Sequence, residues 1–213
     1  AAAVIKRYVE LGHALDATAL SAIGSRFVCL LNASELEAIH LPSLRRTSLD
    51  PSACSQMTKN LFYQKAKEAF ADQHHLPAYY ELILPYLGGA PAADLKALSK
   101  DDVNMNITTL VTLRRDSLMF LTPSEMRGLL GMNLPELAQW QNRSPIRDWI
   151  SQQKQSELDK LQLGLTGGIQ EGYINIITPK FPVTSSAPLG TVALTFHLLP
   201  ALLLSFLMVS TLS

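Results

Sequence analysis

Residues 121–129 read LTPSEMRGL, and this stretch decides the fold. Thr122-Pro123-Ser124-Glu125 is a capping box. The Thr hydroxyl and the Glu carboxylate each meet a backbone donor that the first helical turn leaves unpaired, and Pro123 occupies the first helical position, where its missing N–H costs nothing. The same pattern appears upstream as LNASELEAI (31–39), and APAADLKAL (90–98) repeats its opening. Elsewhere between residues 3 and 160 apolar residues recur at three- and four-residue spacing instead of alternating, as in Leu30, Leu31, Leu36 and Ile39, which predicts helices. Asp50-Pro51 and Ser144-Pro145 mark further helix starts by the same cap-then-proline rule.

Short capped helices cannot each bury a core face alone. Stacking them into an α-solenoid solves that problem, with a compact helical bundle as the other solution; contacts in a solenoid stay near in sequence, whereas those in a bundle do not. After residue 160, LGLTGGIQEGYINII (163–177) joins a glycine-rich turn to β-branched residues and predicts a turn followed by an extended piece. The expected organisation is a helical domain over 1–177, a Pro- and Ser-containing stalk over 178–191 and a hydrophobic segment over 192–213.

Composition narrows the function. The 213 residues are 47% hydrophobic and 17% charged, with 18 basic and 18 acidic side chains, so the chain favours a packed core. With no basic stripe to neutralise phosphates, no nucleic-acid partner is expected. The opening AAAVIKRYVE lacks the features of an export signal, which is expected upstream.

The last segment points to a membrane. VALTFHLLPALLLSFLMVSTL (192–212) is 21 residues without Asp, Glu, Lys or Arg, enough at about 1.5 Å per residue to cross roughly 30 Å of hydrocarbon. Only Ser213 follows, with none of the basic residues that hold a stop-transfer helix, so the run reads as a glycosylphosphatidylinositol (GPI) anchor signal. Ser185, Ser186 and Ala187 provide the small residues such a signal needs. Ser185 is the expected lipid-attachment residue, because choosing Ser186 would place the ring of Pro188 two positions on. The spacer from Ser186 to Thr191 is shorter than usual, and an ordinary membrane span or a buried terminal helix are the competing readings.

An exported chain changes how the other motifs read. Asn32, Asn106 and Asn142 each open an N-x-S/T sequon and are candidate N-glycosylation sites; Pro145 directly follows the third, and Asn32 could equally serve as a helix cap. Cys29 and Cys54 lack zinc-site spacing. In an exported chain a disulfide is expected between them, worth about 3.5 kcal/mol in the chain-entropy model, with two buried thiols as the alternative.

Neither a catalytic nor a metal site is expected, and no cofactor or small-molecule substrate. His74 and His75 point about 100° apart on a helix, and His13 and His40 read as cap, interface or core positions. G-x-S-x-G, H-E-x-x-H and phosphate-loop motifs are absent from the sequence. Gly88-Gly89 and Gly167-Gly168 fit helix ends and turns with positive φ. Trp140 and Trp149 fit the core or an inter-helix groove, and Arg147-Asp148 a local ion pair with stacking on Trp149.

LGGAPAADLKALS (87–99), SPIRDWISQQKQSELDKLQLGLTGGIQEGY (144–173) and the surrounds of Cys29 and Cys54, including KAKEAF (65–70), resemble the mesothelin family, whose relatives include otoancorin and stereocilin. The resemblance runs from about residue 8 to about 177. It implies an armadillo-like right-handed superhelix, glycosylated, disulfide-bonded through Cys29 and Cys54, and held at the outer leaflet by a GPI anchor. It also implies adhesion to a cell-surface glycoprotein, a mucin or a matrix protein. The sequons do not all coincide with the family's, and the family segment associated with mucin recognition lies upstream. A structural role in gel attachment is the alternative function, and an enzyme built on this scaffold is a remoter one.

Overall fold

The computed structural model describes residues 1–172. These form an all-α unit of short helices. The first group is α1 (Ala2–Glu10), α2 (Ala17–Phe27), α3 (Ala33–Glu37), α4 (Leu41–Leu44) and the longest, α5 (Gln56–Ala69). Then come α6 (Tyr79–Ile83), α7 (Ala92–Leu98), α8 (Ile107–Leu110), α9 (Arg115–Met119) and α10 (Pro123–Leu130), followed by α11 (Glu136–Trp140), α12 (Ile146–Ile150) and α13 (Gln155–Asp159). Tight 3-10 turns fill several joints, the longest being Leu84–Gly89. Helices of four to nine residues do not hold in water by themselves, so packing must supply their stability.

A repeated burial pattern supplies it. In LTPSEMRGL the first, sixth and ninth residues, Leu121, Met126 and Leu129, are buried, and so are Leu31, Leu36 and Ile39 and then Ala90, Leu95 and Leu98. Two further copies are much harder to see by letter. QKQSELDKL (153–161) buries Leu158 and Leu161, and LFYQKAKEA (61–69), inside α5, buries Ala66 and Ala69. The five copies begin at residues 31, 61, 90, 121 and 153, each 29 to 32 residues after the last. Leu87, Leu118 and Trp149 are likewise spaced by 31 and fully enclosed. One connected core runs through the copies, each buried leucine contributing roughly 1.5–3 kcal/mol.

Polar contacts follow the same spacing. At two of the four junctions the basic residue at position seven of one copy meets the acid at position five of the next: Lys67 meets Asp94 at 2.8 Å and Lys96 meets Glu125 at 3.5 Å. Tyr63 also donates to Asp94 (3.0 Å). Ser117 donates to the carbonyl of Ala90 and the indole N–H of Trp149 to that of Leu121, each over 2.8 Å; both acceptors are the first residue of a copy.

The caps fall largely where the sequence places them. Asn32 and Thr122 both close reciprocal capping boxes, with Glu35 and Glu125. Two expected helix starts differ. Asp50-Pro51 heads a turn in which the Asp50 carboxylate accepts from Ser52 N–H, and α5 starts five residues later under a Ser55 cap. Pro145 sits just outside α12, because Ser144 turns its hydroxyl to Asp148 instead of to the first helical N–H groups.

Gly167 has φ +99°, as a turn glycine should, but Gly168, Gly88 and Gly89 are not left-handed. Gly89 is required by close approach: a Cβ there would strike the Lys59 carbonyl of α5, as one at Gly128 would strike the Ser99 carbonyl. The glycine-rich stretch after residue 160 turns back onto α13, with Ile169 hydrogen-bonded to Gln153 and Gln155 in a single bridge. The expected stalk, the hydrophobic segment and Ser185 lie outside the described residues.

Candidate functional site

Cys29 and Cys54 form a disulfide. Cys29 sits in the 3-10 turn Val28–Leu30 after α2, and Cys54 lies just before the Ser55 cap of α5. The bond therefore staples the start of the long helix to the segment preceding the first repeat copy.

The sequon asparagines are all exposed. Two are helix caps: the side-chain oxygen of Asn32 accepts from Glu35 N–H at 2.9 Å, and that of Asn106 accepts from Thr109 N–H at 2.7 Å and from the Thr108 hydroxyl at 2.8 Å. A glycan joins the amide nitrogen, so the cap oxygen stays available after attachment. Around the third sequon the Ser144 hydroxyl is taken up by Asp148 at 2.6 Å.

That contact belongs to a polar network where α9 and α12 lie together. Arg115 reaches Asp148 at 2.8 Å and Ser144 at 3.2 Å, while Arg147 approaches the other Asp148 oxygen at 3.3 Å. The Ser144 hydroxyl and then the Arg115 guanidinium hold the Asp148 carboxyl down at about 2. The expected Arg147–Asp148 ion pair is present. The stacking differs: the guanidinium 5.2 Å from an indole is Arg143 on Trp140, while Trp149 points into the core. Sequence reasoning missed Arg115, whose only signal is its 32-residue spacing from Arg147.

The histidines lie apart from this network. His40 stands at the N-cap position of α4 without a side-chain cap bond, its Nδ1 3.0 Å from the Ser43 hydroxyl, while His13 stacks on Tyr8 and His74 packs against Tyr79. Beside His74 and His75 an open groove of about 590 Å³ is lined by Tyr79, Tyr80, Glu81, Asp101 and Asp102. Burial and the Asp94 charge raise Tyr63 and Tyr79, and burial pushes Tyr80 and Tyr86 up to about 12, so all four remain neutral donors at physiological pH. Among the described residues, no three His, Cys, Asp or Glu side chains converge as metal ligands, and no helix is long and apolar enough to cross a membrane.

The chain matches the family model described as Mesothelin over residues 1–212. It is 37% identical to mesothelin of Rattus norvegicus over 206 residues, covering 94% of this chain and 33% of the rat protein. Against mesothelin of Mus musculus it is 38% identical over 180 residues, 82% of this chain and 28% of the mouse protein. Mesothelin-like protein of Homo sapiens is 30% identical over 177 residues, 76% of this chain and 25% of that protein. The chain thus spans about a third or less of the length of these relatives, and with a family model matched over nearly all its residues it belongs to the mesothelin family.

Proposed function

We propose that this chain is part of a non-enzymatic cell-surface glycoprotein that mediates adhesion by binding a glycoprotein, mucin or matrix partner along a right-handed superhelix of stacked repeats. The observation that carries this reading is the succession of five copies 29 to 32 residues apart, bonded copy to copy. The strongest contacts between elements join segments close in sequence, such as α7 with α9 and α9 with α12, which favours an armadillo-like stack over a bundle, and such stacks present extended faces suited to protein recognition. Residues 1–177 form the recognition body in this reading and 178–191 a stalk. The uncharged run 192–212 supports attachment of a GPI anchor at Ser185, which breaks the bond to Ser186 and releases residues 186–213, the hydrophobic segment included. Asn32, Asn106 and Asn142 carry N-glycans, Asn142 being the least favourable because Pro145 follows its sequon.

The test is capture of cell-surface glycoproteins by the full mature protein and by residues 1–172. Retention of the same partner by both supports recognition on these repeats. Retention by the longer protein alone assigns the face to another part of the molecule, and retention by neither refutes the adhesive role.

A further inference from the structure

We propose that the edge where α9 and α12 lie side by side is a docking surface for a sulfated glycosaminoglycan chain. Arg115 and Arg147 stand 32 residues apart, the repeat spacing, and both grip one carboxylate, that of Asp148. The carboxylate is recessed and the guanidinium groups are not: the Asp148 side chain is 21% exposed, against 58% for Arg115 and 66% for Arg147. Arg143, also exposed, lies against the Trp140 ring, and its carbonyl accepts the Arg147 N–H at 2.9 Å. Three arginines thus gather around one sunken acid, an excess of two positive charges on a chain whose 18 basic and 18 acidic residues balance as a whole. Neighbouring Arg114 and Asp116 pair with each other at 3.5 Å and leave that excess unchanged.

Each guanidinium has five N–H donors in a planar fork that suits bidentate contact with sulfate. Arg115 gives one terminal nitrogen to Ser144 and the other to Asp148, while Arg147 gives Nε and one terminal nitrogen to Asp148, so each guanidinium keeps its third nitrogen for solvent. Side chains pinned by Asp148, Ser144 and Trp140 lose little further freedom on binding, which favours association. A linear chain with regularly spaced sulfates matches positive charges set one repeat apart. The choice of a glycan over another polyanion rests on the cell-surface reading above.

The test uses full-length protein purified in detergent from expressing cells, both unsubstituted and carrying Asn142→Gln, on immobilised heparin and on desulfated heparin. The protein should be retained by heparin at physiological salt and pass through the desulfated matrix. R115Q/R143Q/R147Q should weaken binding at least tenfold, with K6Q/R7Q at the far end of the chain leaving it unchanged. If circular dichroism shows the triple variant misfolded, Arg143→Gln, whose side chain bonds to no acid among the described residues, should still weaken binding about threefold. Absence of retention, equal binding of an oligonucleotide of the same length, or equal loss in the control variant would each overturn the proposal. Adhesion that persists on cells lacking sulfated glycans would also overturn it while leaving the adhesive role standing; adhesion to no cell type would count against that role itself.

Discussion

Replacing Trp149 by Phe probes the junction between repeats directly. Trp149 is fully buried in α12, and its indole N–H donates to the carbonyl of Leu121, 28 residues earlier, at 2.8 Å. Phenylalanine keeps most of the apolar volume and removes the donor. A buried carbonyl left without a partner costs about 1–3 kcal/mol, and the lost ring volume adds about 1 kcal/mol, so the expected loss is roughly 2–4 kcal/mol. For a unit of this size that lowers the melting temperature by roughly 4–16 °C. Circular dichroism melts of the two proteins measure it, with Trp140→Phe as a half-buried comparison that should cost less than about 1 kcal/mol. A Trp149→Phe shift below about 1 °C would refute the claim that this bond ties one copy to the next.

Three more outcomes follow from the same geometry. Reducing Cys29–Cys54, or replacing both by Ser, should cost about 3.5 kcal/mol in a denaturant titration, whereas dithiothreitol should not move the melt of the double variant. Thr122→Ala removes the cap that receives Glu125 N–H and should lose about 1 kcal/mol in the same titration, with Thr122→Ser restoring most of it. Tyr80 and Tyr86 titrate near 12 when folded and near 10 when unfolded; the folded state thus holds its protons longer, and stability present below pH 10 should fall as pH rises from about 10 to 12, a fall that Tyr80→Phe and Tyr86→Phe reduce in far-ultraviolet circular dichroism.

The helical class and the best caps were legible in the letters because Thr122-Pro123-Ser124-Glu125 and Asn32-Ala33-Ser34-Glu35 carry their own hydrogen-bond logic. The repeat was only half legible. Copies at 31, 90 and 121 share caps or leucines, but the copy at 61 is buried inside α5 with alanines at its core positions, and the copy at 153 opens on Gln153, so only the burial pattern reveals them. Asp50-Pro51 misled because an Asx turn and a helix cap begin with the same residues. Gly88-Gly89 do end a helical turn, Leu84–Gly89, but without the expected positive φ: close packing demands glycine as firmly as positive φ does, and the partner, the Lys59 carbonyl, lies some thirty residues away. The Arg115–Asp148–Arg147 cluster was invisible beyond its adjacent pair, since Arg115 joins it only through the stacking of α9 on α12.

Flow cytometry of cells expressing the full-length protein, before and after phosphatidylinositol-specific phospholipase C, tests most directly the proposal that the protein is a lipid-held binding module. The account predicts that surface signal falls to background, that the released protein appears in the medium, and that the treated cells lose their adhesion. Surface signal that survives the enzyme, with peptides from residues 192–213 still joined to the protein, would contradict it.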